Sequence, residues 1–320
     1  MRQIETSIHP SPVSAAGFGC ASLGSRIGEK EGRAALQNAL AVGINWFDVA
    51  PSYGDGKAEA ILGQFAADHP GSVRVCTKVG ILAQKVGWKS MIRPLARKIV
   101  GKVPALRKFA TRARSVERLP MTPQNIIDSV ERSLVALKTE RLDALLLHGA
   151  FIEEIENEGL RQTLTGLIAQ GKVAAAGVAS SVEAAERAAN YPEVFSIVQF
   201  ANNPFEPHAE QAWLKDWRTA GRLVITHSAL GAHGALANLT AKLDRGGAAR
   251  EALYAAGYAG ETKKAAASFL VDYALATNRN GIALFSVMQQ RHLDALMAGL
   301  KSDRDRNEML TLGQLLAATG

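Results

Sequence analysis

The chain has 320 residues, 47% hydrophobic and 21% charged, a composition that supports a full globular core without disulfide staples. Its net charge of +7 is concentrated: residues 84–120 hold eleven Lys or Arg and one Glu, a net +10, so the rest of the chain carries −3. This pattern excludes a general nucleic-acid-binding surface and places the basic balance in one insert.

Residues 1–12 mix charged and polar side chains without an apolar run, which argues against a signal peptide. No stretch of about 18 apolar residues follows, so no spanning helix is expected, and the reading is cytoplasmic. From there a short apolar run and then an amphipathic stretch recur to the end. Residues 16–20 (AGFGC) read as a strand and 31–42 as a helix. Next come Trp46–Asp48, a helical Ala58–Ala67, and the alternating strand 73–78. Residues 124–137 set Ile126, Val130, Leu134 and Leu137 at helical spacing behind Thr122 as N-cap and Pro123 in the first turn.

Five further pairs follow. They are Ala144–His148 with a helix at 160–170, 173–178 with 182–189, 197–200 with 209–219, 223–226 with 263–276, and Ile282–Phe285 with 291–300. Residues 308–319 add one more helix. Alternating strands and helices predict a parallel sheet, and eight units predict a closed (β/α)8 TIM barrel with an extra C-terminal helix and a long basic insert after strand 3. No linker divides the chain, so 1–320 is expected to be a single barrel domain.

Two connections exceed what a minimal barrel needs: the basic insert, and the Gly- and Ala-rich 227–261. Both follow strands, which puts them on the C-terminal face where barrel active sites are built. Both read as functional. Within the insert, Ile92, Leu95, Ala96, Ile99, Val100 and Val103 recur at roughly helical spacing between Arg93, Arg97, Lys98 and Lys102. Pro94 and Pro104 divide the segment into two short helices. A lid is the first reading. Recruitment of an anionic substrate is the second, and peripheral contact with an anionic membrane or acidic partner the third. Cys20 and Cys76 lie in strand candidates without CxxC or metal-ligand spacing, so they read as small buried hydrophobes of a reducing compartment, with no metal site.

Polar residues at strand ends stand out because barrel strands are otherwise apolar. Strand two ends in Asp48 with Tyr53 five residues on, strand three ends in Lys78, and strand four in His148. Adjacent strands bring these four to one rim. A tyrosine of pKa near 10 is a poor acid or base at neutral pH, and a neighbouring ammonium corrects that. Asp48 would hold Lys78 charged, His148 would align a substrate oxygen, and Tyr53 would exchange the proton.

These residues carry a resemblance. The chain is similar to the aldo-keto reductases over nearly its whole length, through residues 17–24 (GFGCASLG), 43–56 (GINWFDVAPSYGDG), 77–80 (TKVG), 129–134 (SVERSL), 143–148 (DALLLH), 171–178 (GKVAAAGV) and 198–204 (VQFANNP). The resemblance implies a catalytic tetrad of Asp48, Tyr53, Lys78 and His148, with Tyr53 as general acid and base, and a nicotinamide cofactor bound without a Rossmann fold. It implies Gln199 at the carboxamide, with Ser180 substituting where relatives commonly have Asn. The turn of Gly19, Cys20 and Ala21 would border the nicotinamide, and His227 would stack on it. Ser228, Leu230 and Gly231 would follow the pyrophosphate, and Ser286, Arg291 and His292 would sit at the adenosine 2′-phosphate. NADP(H) is the implied cofactor and NAD(H) the alternative. The 48–56 phrasing is most similar to the sugar-oxidising and sugar-reducing branch, so the expected partner is a small carbonyl or sugar substrate, anionic if the insert recruits it. Two other readings stand beside this one: a non-catalytic nucleotide-binding regulatory relative, and a TIM-barrel lyase forming a Schiff base on Lys78.

Overall fold

The computed structural model describes residues 1–82, 118–231 and 234–318. The basic segment therefore lies outside the described residues up to position 117, and the lid expected there with it.

Eight parallel strands close into a barrel. In chain order they are β3 (Ala16–Gly19), β4 (Trp46–Asp48), β5 (Arg74–Val79), β6 (Ala144–His148), β7 (Ala176–Ala179), β8 (Phe195–Ala201), β9 (Leu223–His227) and β10 (Ile282–Phe285). Closure is by pairing of β10 with β3. The expected barrel is thus present, with strand bounds shifted by a residue or two. The exception is the fifth barrel strand, expected over 173–178, where Val173 makes only an isolated bridge to Leu142 and the ladder proper begins at Ala176.

Strand pleat sorts the side chains. Trp46, Cys76, Ala144, Leu146, Ile197, Ile225 and Leu284 form one buried cluster inside the barrel. Phe47, Val75, Leu145, Leu147, Val198 and Val224, their immediate neighbours in sequence, join the cluster under the outer helices. Space inside is tight: a Cβ on Gly177 would stand 2.2 Å from the Ile197 carbonyl oxygen and 2.7 Å from Leu146.

The outer helices follow the sequence pattern. Pro123–Leu137 begins with the Thr122 hydroxyl accepting from Asn125 N–H at 3.2 Å, and it buries Ile126, Val130, Leu134 and Leu137. The last helix, Arg306–Ala318, packs outside the barrel as expected.

Two features depart from the expectation. Residues 1–14 form an antiparallel hairpin, β1 (Gln3–Thr6) and β2 (His9–Ser14), whose Ile4 and Val13 pack into the interior cluster and close the N-terminal mouth. Asn45 ties it down, accepting from Ser14 N–H at 2.8 Å and donating its own N–H to the Ser14 hydroxyl. Most of its residues face water, so the segment carries no apolar run to announce it. The long 227–261 connection contains two helices, Ala235–Arg245 and Ala248–Ala255. With Thr262–Thr277 and Arg306–Ala318, they bury Leu239, Leu243, Leu253, Phe269, Tyr273 and Met309 in a second core outside the barrel.

Candidate active site

The inward series of each strand continues past the packed interior into polar residues. Trp46 is followed on the same side by Asp48, Cys76 by Lys78, Leu146 by His148, Ile197 by Gln199 and Ile225 by His227. The strand register then brings these ends to one mouth, the C-terminal one.

At its centre Lys78 Nζ donates to Asp48 Oδ1 at 2.5 Å and to the Val49 carbonyl at 3.1 Å. Gln199 Nε2 donates to Asp48 Oδ2 at 3.1 Å, and all three side chains are buried. The Lys78 ammonium lies 4.9 Å from the centroid of the Tyr53 ring. The rings of Tyr53 and His148 meet edge to face, 6.1 Å apart and at 88°. The four expected catalytic residues are therefore assembled around one point.

Tyr53 reaches that point through a tight turn, Tyr53–Gly56, in which Gly54 has φ +63°. A Cβ on Gly54 would overlap the Leu23 carbonyl oxygen at 1.7 Å, so only glycine lets the turn press against the rim there.

Electrostatics divide the roles. Burial opposes the charge on Lys78, but the Asp48 carboxylate, through its charge and its hydrogen bond and together with Tyr53 and Cys76, raises the lysine pKa on balance. A Schiff-base lysine requires the reverse, a neutral amine. Burial raises the Tyr53 pKa while the Lys78 ammonium pulls it down. Burial, then the charges of Lys78, His227 and Arg118, push His148 down to about 3, so its imidazole is neutral at neutral pH. Burial likewise raises both cysteine thiols far from reactivity. Among the described residues no cluster of His, Cys, Asp or Glu is arranged to hold a metal ion. No described helix is long and apolar enough to cross a membrane.

The remaining candidates lie at or after the C-terminal ends of β3, β7, β9 and β10. Cys20 is fully buried and donates its backbone N–H to the Asp48 carbonyl, while Ala21 beside it is exposed. Ser286 donates to the Gly19 carbonyl at 3.1 Å, so its hydroxyl is spent on joining β10 to β3. Ser180 donates to the Ala150 carbonyl at 2.8 Å and keeps only acceptor capacity. His227 Nδ1 lies 2.7 Å from the Ser228 hydroxyl, and Ser228 adopts a left-handed φ of +61°. Leu230 is half-buried, and a Cβ at Gly231 would meet open space. Arg291 and His292 stand exposed in the first turn of Gln290–Ser302.

Two buried polar atoms at the centre lack a hydrogen-bond partner: Gln199 Oε1 and His148 Nδ1. Leaving such atoms unpaired costs about 1–3 kcal/mol each. An amide-bearing ring lying against Gln199 and a substrate oxygen against His148 would satisfy them, so the residues present fit a nicotinamide cofactor and a carbonyl compound.

Sequence reasoning missed a rim group: Arg118, Phe151 and Glu154. Arg118 is one charge in a basic run, and no periodicity or spacing singles out Phe151, which caps the short helix Ile152–Glu156.

The comparisons with known proteins agree with this geometry. Residues 15–315 match the model described as the aldo/keto reductase family. A stretch of 151 residues is 33% identical to 6-dehydroglucose reductase of Agrobacterium fabrum, covering 46% of this chain and 43% of that protein, so the match spans less than half of either. Among solved structures, an aldo-keto reductase from Bacillus halodurans in its holo form superposes with a TM-score of 0.71 at 18% identity, covering 100% of this chain and 98% of that one. Glycerol dehydrogenase from Gluconobacter oxydans gives 0.70 at 22% identity over 98% and 95%. An aldo-keto reductase from Klebsiella pneumoniae in complex with NADPH gives 0.66 at 20% identity over 100% and 97%. At these identities the structures speak for the fold.

Proposed function

The chain belongs to the aldo/keto reductase family, and from that premise we propose that it is an NADP(H)-dependent oxidoreductase acting on a small carbonyl compound or the corresponding sugar hydroxyl. The observation that carries the reading is the buried Lys78–Asp48 pair set against the Tyr53 ring at the barrel's C-terminal mouth.

A nicotinamide dinucleotide held at this site would supply or accept the hydride. Tyr53 holds its proton at neutral pH because burial disfavours the phenolate, and the Lys78 ammonium lowers the cost of releasing it. Neutral His148 donates an N–H to the carbonyl oxygen and fixes its direction without adding charge. In reduction the oxygen gains electron density, and Tyr53 gives it a proton. In oxidation Tyr53 takes that proton back.

Gln199 through Oε1, with Ser180 beside it, would hold the carboxamide, and the Gly19, Cys20, Ala21 turn and His227 would border the ring. Ser228, Leu230 and Gly231 would follow the pyrophosphate. Arg291 and His292, at a helix N-terminus, suit the 2′-phosphate. Burial and Arg291 hold the His292 pKa down, which leaves Arg291 as the main cation, and Ser286 is engaged by Gly19. NAD(H) is the alternative cofactor. The stretch shared with 6-dehydroglucose reductase favours a sugar-type carbonyl as substrate. Two free, buried cysteines fit a cytoplasmic setting.

Titration of the purified protein with NADPH and then NADH, followed by tryptophan quenching, tests the reading. Tighter NADPH binding that weakens in Arg291→Gln supports it. Preference for NADH keeps the chemistry and moves the cofactor. Binding of neither overturns it.

A further inference from the structure

His148 closes β6, and the next three residues cross the rim. Ala150 is buried, and Ser180 anchors its carbonyl, so Phe151 is held at a fixed distance from His148. Phe151 is nonetheless 58% exposed, the opposite of what an aromatic ring seeks in a core.

Arg118 lies over this ring, its guanidinium carbon 3.9 Å from the centroid, and donates to Glu154 Oε2 at 2.8 Å. The same carboxylate oxygen accepts the Phe151 backbone N–H at 2.8 Å. On its other side Arg118 bridges Ile81, three residues beyond Lys78. The group is thus tied to the two strand ends that carry Lys78 and His148. Its contacts leave capacity unused: Arg118 Nε is buried without a hydrogen-bond partner.

We propose that Phe151, Arg118 and Glu154 form a substrate subsite for the hydroxylated, uncharged end of a sugar-like molecule; this rests on the oxidoreductase reading above and names the substrate class for that site. The guanidinium covers one face of the ring, and the exposed remainder offers the flat apolar surface on which the C–H face of a sugar packs. The paired carboxylate and guanidinium present one acceptor group and several donors at fixed spacing, which neighbouring hydroxyls, each both donor and acceptor, satisfy together. A substrate carboxylate or phosphate would meet Glu154 instead. Arg118 is the one cation of residues 84–120 among the described residues, and its charge is already balanced within the group.

The test compares D-erythrose with acetaldehyde, which shares the carbonyl end and is too short to extend to the ring. Phe151→Ala should raise KM for erythrose about tenfold with kcat little changed and leave both constants for acetaldehyde as they were. Phe151→Tyr, which keeps the aromatic face, should restore the wild-type KM. Equal losses on both substrates, or no loss on erythrose, overturn the proposal. Saturation-transfer NMR with erythritol needs no turnover: a signal present in the wild type and lost in Phe151→Ala supports the subsite. No signal in the wild type, or one indifferent to Phe151, overturns it. If neither aldehyde is turned over while the erythritol signal still depends on Phe151, the oxidoreductase reading fails and the subsite stands.

Discussion

Gln199 donates its side-chain amide to Asp48 Oδ2 at 3.1 Å, while Lys78 occupies the other oxygen of the same carboxylate. The contact fixes which way the amide points. Turned over, Gln199 would set oxygen against oxygen, so Nε2 faces Asp48 and Oε1 is left as an unpaired acceptor. A dinucleotide whose carboxamide is replaced by an acetyl group has no N–H to offer there. Tryptophan quenching should show it binding the wild type about tenfold more weakly than the carboxamide form, and Gln199→Met should bind the two alike. Equal affinities in the wild type would remove the argument.

Tyr53→Phe keeps the ring against Lys78 and His148 and deletes the proton. Carbonyl reduction should fall by at least about a hundredfold while the cofactor Kd stays within a factor of two or so. A parallel loss of cofactor affinity would point to a binding role instead.

Lys78→Met strands the Asp48 carboxylate in the barrel interior. Breaking a buried pair in this way costs about 3–5 kcal/mol, which urea unfolding should register alongside lost turnover. Asp48→Asn with Lys78→Met removes both charges and should recover part of that stability but none of the activity.

His148 makes stability depend on pH. Its folded pKa of about 3 lies below the usual 6.5, so between those values the unfolded chain binds a proton that the native state refuses. The stabilisation is complete above pH 6.5 and is lost as pH falls toward 3. From pH 6.5 to 5 it should drop by about 2 kcal/mol. Denaturant midpoints for His148→Gln should flatten in that window, and an unchanged slope would contradict the buried neutral imidazole.

Gly54→Ala forces a Cβ against the Leu23 carbonyl at a backbone angle alanine avoids. Loss of Tyr53 placement should appear as lower kcat with a lower melting temperature, and a variant of wild-type activity would show that the turn is not what positions Tyr53.

Much of this was legible in the amino-acid order. Eight apolar runs, each followed by an amphipathic stretch, announce a barrel because a parallel strand buried on both faces needs unbroken hydrophobicity and a crossover helix. Asp48, Lys78 and His148 stood out because a charged or polar residue closing such a strand has no packing reason to be there. The hairpin at residues 1–14 was not legible, since its buried positions are Ile4 and the short 13–14 edge, with polar residues between. Nor were the helices within 227–261, whose stripe of Ala235, Leu239 and Leu243 is diluted by glycine and alanine.

The alternation of strand and helix and the residue type at each strand end are written locally, because both follow from periodicity and side-chain chemistry. Which of those ends share a hydrogen bond is decided by the closed barrel. Asp48 and Gln199 are 151 positions apart, and Arg118 meets Phe151 and Glu154 from the connection after a different strand. Barrel closure and strand register set those distances, and no local pattern encodes them.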